Sequence, residues 1–403
     1  MAEKPDSSCD VDRVSGQSIT ELNDALKDHF LGSEGFASMD GISAKIFPSV
    51  FAAIQNCLQK PLQKHPRYTD IEFVWSGSTS EGVNIPNMSR GAGGKVEMEL
   101  EMDILCVFRG IQVGTTASSP IVMVVQEGTT KGYFLLYVNS PDYRQKWGHF
   151  CTIPGSSKRK GEMYLNPLLI VEDMYKQIEH IFGLIPLLKD QFKLEFNPPA
   201  VTLRLGGFDN VVVSCDLVVA LELPLTKLPN GFFPWLQDQP KWLAEETMQR
   251  FRNDNLHLVG KCSPRGQERV EWRLSYNRLE FGLLREIQSK MPLAITCYRI
   301  FESIRYWHLN HPGFLHSYYL MMIFLRACHN YPVSSWAEGQ MASNILCLLD
   351  DLFHCLTTHH LPSYFFPGCN LIEGVHPDFI LTSLQTLSKI RRDPMQHIIK
   401  LSR

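Results

Sequence analysis

Two apolar runs in this chain carry carboxylates where a buried strand ordinarily carries none. One reads Glu97-Met98-Glu99-Leu100-Glu101-Met102-Asp103-Ile104-Leu105-Cys106-Val107-Phe108, the other Val211-Val212-Val213-Ser214-Cys215-Asp216-Leu217-Val218-Val219-Ala220-Leu221. Side chains alternate faces along a strand, so Glu101 and Asp103 share one side while Met102 and Ile104 take the other. From Ile104 to Phe108 both faces are apolar, the pattern of a buried strand. A carboxylate in such a run is costly unless something neutralises it. Asp216, flanked by apolar residues on both sides, poses the question most sharply. Mg²⁺ is a natural answer, because it takes oxygen ligands from one or two carboxylates together with substrate phosphates.

Upstream lies a turn, Ser76-Gly77-Ser78-Thr79. Gly77 lets the backbone approach a phosphate closely. Ser78 adds a hydroxyl, and adjacent N–H groups can cradle a triphosphate. Together the turn and the carboxylates hold the parts of a two-metal displacement at phosphorus, in which two cations clamp the attacking and leaving oxygens. Plainer readings compete at each point. A Gly-Ser pair is usually only a turn, the acidic alternation suits the wet face of an edge strand, and Asp216 can be satisfied by backbone donors. The order and spacing of all three favour the chemical reading.

In that order, Gly-Ser, acid-x-acid and a distant strand aspartate resemble the polymerase-beta-like nucleotidyltransferases. Leu361-Pro362-Ser363-Tyr364-Phe365-Phe366-Pro367-Gly368-Cys369-Asn370-Leu371, Trp272-Arg273-Leu274-Ser275 and the stretch from Ser317-Tyr318-Tyr319 to Cys328 resemble the cyclic GMP–AMP synthase-like receptors of animals. The resemblance runs from about Phe30 to the end. It implies an α/β fold, with a polymerase-beta-like mixed sheet and a C-terminal helical lobe in a bilobal arrangement. It also implies a synthase making a cyclic dinucleotide from nucleoside triphosphates such as ATP and GTP. Glu101, Asp103 and Asp216 would bind two Mg²⁺, with Mn²⁺ able to substitute. Gly77 and Ser78 would hold the triphosphate, Arg273 and Ser275 would contact one base, and Tyr318, beside Ser317, would stack on another. A family lysine position is matched here by Glu302, with Arg299 and Arg305 as the candidate replacements. Some relatives keep the fold but act as silent nucleotide-binding or adaptor modules, and that is the alternative.

The balance of the chain is ordinary: 403 residues, 44% hydrophobic, net charge -3. A nucleic-acid surface must therefore be a local patch. Lys45, Lys60, Lys64 and Arg67 form one candidate, and Arg144, Lys146, Lys158, Arg159 and Lys160 another. The 11 scattered cysteines suit free thiols in a reducing compartment. No apolar stretch reaches membrane-span length. A cytoplasmic protein is expected.

The zinc thumb of cyclic GMP–AMP synthase has no counterpart between Leu284 and Cys297, and His308, His311, His316, Cys328 and His329 lack a closed ligand spacing. No structural zinc is expected, and by resemblance the activator is double-stranded RNA. Residues 1–17 read as a disordered tail, 18–225 as spine helices and nucleotidyltransferase core, and 226–403 as the mainly helical lobe. Helical spacing marks Ile19–Phe30, Asp40–Gln63 and Val171–Lys189. Strands are expected at Ile71–Trp75, Met98–Phe108, Ile121–Gln126, Gly132–Val138, Val201–Leu205, Val211–Leu221 and Val270–Tyr276. The glycine-rich segment Asn84–Val96 is expected to be mobile.

Overall fold

The computed structural model describes residues 16–31, 46–77, 87–90, 96–125, 132–153, 162–185, 190–208, 211–228, 238–261 and 270–399. They belong to two compact units. One comprises Gly41–Phe233 and Glu246–Gly282, the other Met1–Asp40, Pro234–Glu245 and Leu283–Arg403.

Among the described residues, the first unit is built on a thirteen-stranded mixed sheet. Its strands are β1 (Ile71–Ser76), β2 (Asn87–Arg90), β3 (Val96–Phe108), β4 (Val113–Gly114), β5 (Ile121–Val124), β6 (Tyr133–Val138), β7 (Cys151–Thr152) and β8 (Tyr164–Leu165), then β9 (Phe192–Asn197), β10 (Ala200–Phe208), β11 (Val211–Pro224), β12 (Asn255–Gly260) and β13 (Trp272–Ser275). The main path runs β1-β3-β11-β12-β13-β6-β5-β4, and β10 and β9 extend from β11. The long apolar runs become the two central strands, β3 and β11, which lie parallel. On one sheet face Leu100, Met102, Ile104, Cys215 and Leu217 are buried. The helix Pro167–Leu184 packs against β9 to β12, burying Ile170, Val171, Met174, Ile178 and Ile181. Asn166 caps it by accepting from Leu168 N at 2.9 Å, as a residue before an N1 proline commonly does. Trp272 is fully buried and donates to Leu165 O, tying β13 to β8.

Where residues alternate over five or more positions, the expected strands appear with boundaries shifted by a few residues. Six strands go beyond the expectation: β2, β4, β7, β8, β9 and β12. β2 occupies Asn87–Arg90 and pairs with β3, so part of the segment expected to be mobile is sheet; 91–95 lie outside the described residues. β9 and β12 are also additional, although Phe192-Lys193-Leu194-Glu195-Phe196 alternates cleanly.

In the second unit, the helix Gly16–Leu26 packs on Met341–Thr357, where Ala342 N donates to Asn23 Oδ1 at 3.2 Å. Asp350 of that helix accepts two bonds from Arg391 of Pro377–Arg392, at 2.6 and 2.5 Å. The 361–371 segment is a braced loop. Leu361 N donates to Asn370 Oδ1, Leu371 N to Leu361 O, and Arg326 donates to Pro362 O. Phe365 and Tyr364 are buried. These residues serve packing.

Candidate active site

The register brings the carboxylates together. Asp216 of β11 lies directly beside Asp103 of β3 in the parallel ladder, and Ser214 lies beside Glu101. Ser76, the last residue of β1, lies opposite Asp103 on the other side. Adjacent strands are about 4.8 Å apart, so Asp103 and Asp216 are side-by-side carboxyl groups on one face. Further along the same face the sheet turns apolar, with Leu105, Val107, Ala220 and Val259 clustered and Val74 and Val218 against them. The acidic site is the wet end of an otherwise dry face.

Asp103 remains accessible to solvent yet is hemmed in by protein atoms. That desolvation, with the charges of Asp216 and Glu101 added, pushes its carboxyl up to about 7; Lys261 pulls the other way. Glu99 plays a different part from its neighbours in the alternation. Arg204 of β10 reaches it at 3.4 Å and holds Glu195 of β9 at 3.3 Å. The alternation thus divides into an ion-paired Glu99 and a carboxylate pair, Glu101 and Asp103, beside Asp216.

Gly77 follows β1 with φ +79°, a conformation glycine adopts without a steric penalty. A Cβ built there would stand 3.0 Å from Asp103 Cγ and closer still to Oδ2. The glycine is therefore demanded twice, by the turn and by the carboxylate pressed against it. Ser78 lies outside the described residues.

Two cations accompany the acids. Lys261, just after β12, is lowered to about 8, first by the Arg273 guanidinium and then by burial, against the opposing pull of Asp103. Arg273 and Ser275 share the partly exposed face of β13, with Trp272 and Leu274 buried behind. Ser275 donates to Asn277 Oδ1 at 3.4 Å. Burial raises the buried Glu280 to about 7, and Arg273 opposes the shift. Sequence reasoning missed Lys261 and Glu280. A lysine after an unrecognised strand carries no signal, whereas Glu280 in the apolar frame of Tyr276, Leu279 and Leu283 was a usable one.

Ser317 and Tyr318 belong to the second unit, at the start of the helix Ser317–Asn330, and both are partly exposed. Ser317 Oγ accepts from Arg305 at 3.3 Å, and Arg305 also binds Glu302 at 2.9 Å and Leu315 O at 3.3 Å. Arg305 is thereby held by a buried acid and by the start of that helix. Arg305→Ala is expected to cost about 3 kcal/mol or more, because it strands a buried carboxylate. A melting temperature within a degree or two of wild type in thermal unfolding would show that the pair is dispensable.

Among the described residues, no group of three or more His, Cys, Asp or Glu side chains is arranged to hold a metal ion. Glu101, Asp103 and Asp216 are electrostatic neighbours, and their hard oxygens are of the kind a divalent cation takes together with substrate phosphates. His308 binds His397 O at 2.7 Å, and His329 meets Tyr364 Oη at 3.1 Å. Of the basic residues, Lys60 and Lys64 are exposed, while Arg67 binds Asp173 at 2.7 Å and lies over Phe150. Arg144 donates to Val138 O and Tyr137 Oη, and Lys146 lies over Trp147. Lys45, Lys158, Arg159 and Lys160 lie outside the described residues. No described helix is long and apolar enough to cross a membrane.

Residues 111–286 match the Mab-21 protein nucleotidyltransferase domain, and 294–389 match the Mab-21 protein HhH/H2TH-like domain. The first span contains Asp216, Lys261, Arg273, Ser275 and Glu280. Gly77, Glu101 and Asp103 precede it. The chain is 26% identical over 356 residues to "Protein mab-21-like" of Drosophila melanogaster, covering 84% of this chain and 85% of that protein. It is 26% identical over 165 residues to "Protein mab-21-like" of Anopheles gambiae, covering 40% and 43%. With "Protein mab-21-like 3" of Danio rerio the identity is 20% over 230 residues, covering 53% and 57%.

Proposed function

We propose, from the match of residues 111–286 and 294–389 to the nucleotidyltransferase and HhH/H2TH-like domains of Mab-21 proteins, that this chain joins nucleoside triphosphates into a cyclic dinucleotide. In this reading the product is a second messenger of innate immune signalling, made in the cytoplasm in response to double-stranded RNA. The observation that carries the chemistry is the register of Asp103 beside Asp216, with Gly77 pressed against Asp103. The raised Asp103 carboxyl marks a site with excess negative charge, and hard oxygen donors suit Mg²⁺ or Mn²⁺. A divalent cation there would be held by Glu101, Asp103 and Asp216 and would supply charge neutralisation at the transferring phosphorus. Gly77 and Ser78 cradle the triphosphate, and Lys261 and Arg273 add positive charge beside it. Ser275 and Arg273 orient one base, and Tyr318, next to Ser317, stacks on another.

A second reading, a silent nucleotide-binding or adaptor protein, is favoured by one observation: among the described residues, no group of three or more His, Cys, Asp or Glu is arranged to hold a metal ion. The readings separate when purified protein is incubated with labelled triphosphates, Mg²⁺ or Mn²⁺ and a panel of nucleic acids. A cyclic product that Asp216→Asn abolishes supports the synthase. Nucleotide binding with no turnover under every condition supports the silent protein.

The activator part of the proposal rests on the resemblance and on the exposed Lys60 and Lys64. Reversing both charges is expected to lower RNA-stimulated synthesis about tenfold or more at moderate salt while sparing basal synthesis, since phosphate contacts dominate such binding. Unchanged stimulation would move the surface elsewhere, with Arg144 to Lys160 next in line.

A further inference from the structure

Resting on the reading of Glu101, Asp103 and Asp216 as cation ligands, we propose that Thr202 and Asn197 are positioning residues that decide which oxygen of Asp216 meets the cation. Thr202 of β10 lies directly opposite Asp216 in the antiparallel ladder and is 4% exposed. Its hydroxyl donates to Asp216 Oδ1 at 2.6 Å. Behind it, Asn197 Nδ2 donates to Thr202 Oγ1 at 3.2 Å and to Glu195 Oε2 at 3.4 Å.

The direction of every proton in this relay follows from the donor and acceptor inventory. Two oxygen acceptors, one of them a carboxylate, face the Asn197 amide, so its nitrogen is the atom that points at them. The amide nitrogen only donates, so Thr202 Oγ1 accepts from it and its single proton is left for Asp216. Asp216 Oδ1 is thereby engaged, and Oδ2 is the oxygen available to a ligand of the site. Glu195, which anchors the amide, is itself held by Lys193 at 2.7 Å and by Arg204, and Arg204 continues to Glu99. The edge strand β9 thus sets the orientation of a carboxylate two strands away. Outer partners of this kind commonly contribute a 10- to 100-fold difference in metal affinity.

The experiment measures Mn²⁺ binding to the full chain by electron paramagnetic resonance without nucleotide, with melting temperature and circular dichroism recorded in parallel. Wild type is expected to bind Mn²⁺ in a manner that Asp216→Asn abolishes. Thr202→Val is expected to weaken that binding about 10-fold or more, and Thr202→Ser, which keeps the hydroxyl, to restore it to within about 3-fold of wild type. Asn197→Asp is the decisive variant, because its position is exposed and the substitution keeps the side chain's shape. A carboxylate there accepts the Thr202 proton and draws it from Asp216, so binding weakens, whereas added negative charge alone would strengthen it. If wild type binds Mn²⁺ through Asp216 while Thr202→Val and Asn197→Asp match it within about 2-fold, the positioning role is overturned and the cation site stands. Absence of Asp216-dependent binding in wild type overturns the cation reading itself. Should Thr202→Val fail to fold, Asn197→Asp decides alone.

Discussion

Asp103→Asn is expected to abolish nucleotidyl transfer while making the metal-free protein more stable at neutral and alkaline pH. The two effects have one cause. Asp103 sits beside Asp216 and Glu101 in a partly desolvated site, and its proton is held up to about pH 7 where an unperturbed aspartate releases it near 3.8. The folded state therefore binds this proton more tightly than the unfolded state. Its contribution to stability falls as pH rises from about 3.8 to about 7 and stays low above that. The asparagine keeps the shape and removes the charge. At pH 8 in a chelator the variant should melt above wild type by an amount worth about 1 kcal/mol, since solvent at the accessible carboxylate screens much of the repulsion. The gap should close as pH falls toward 4. Adding Mg²⁺ should raise the wild-type melting temperature and leave the variant unmoved. Synthesis should drop about 10³-fold, the consequence of losing several kcal/mol of charge stabilisation at phosphorus. Identical melting curves across pH, or near wild-type turnover, would remove Asp103 from the site.

Gly77→Ala should be nearly as damaging for a purely steric reason. The alanine must adopt φ near +79°, and its methyl group must occupy the space of the Asp103 carboxylate. The backbone alone costs about 1–2 kcal/mol, and relieving the clash displaces either the turn or the acid. An activity loss of at least about 100-fold is expected, since small misplacements of reacting groups carry costs of that order. A double-mutant cycle isolates the contact. In an Asp103→Ala background the terminal carboxyl atoms are gone, so the stability cost of Gly77→Ala should shrink by about 1 kcal/mol or more. Strict additivity would mean that glycine is required by the turn alone.

Much of this site was visible in a string of letters, because period-2 patterning is a local property. A carboxylate within an apolar strand run needs no knowledge of the partner strand to be conspicuous, and Glu101, Asp103 and Asp216 all stood out that way. The same local rule located both central strands, as the 3.6-residue spacing located helices around them. It also located the strand carrying Arg273 and Ser275, whose spacing by two already placed them on one face.

Pairing and register belong to the tertiary structure. That Asp216 lies beside Asp103, and not one step away against Ile104, depends on how β11 aligns with β3, and a one-residue slip would turn the acid to the opposite face. Thr202 was invisible for the same reason: a threonine in a strand is ordinary until the partner strand sets Asp216 opposite it. Arg305 shows the converse. It read as one of two candidate replacements for a lysine, and only packing revealed the buried Glu302 that holds it. Gly77 joins the two levels. Its identity announced a turn, but the atom that excludes every larger residue belongs to Asp103, 26 positions along the chain and adjacent only after β1 pairs with β3.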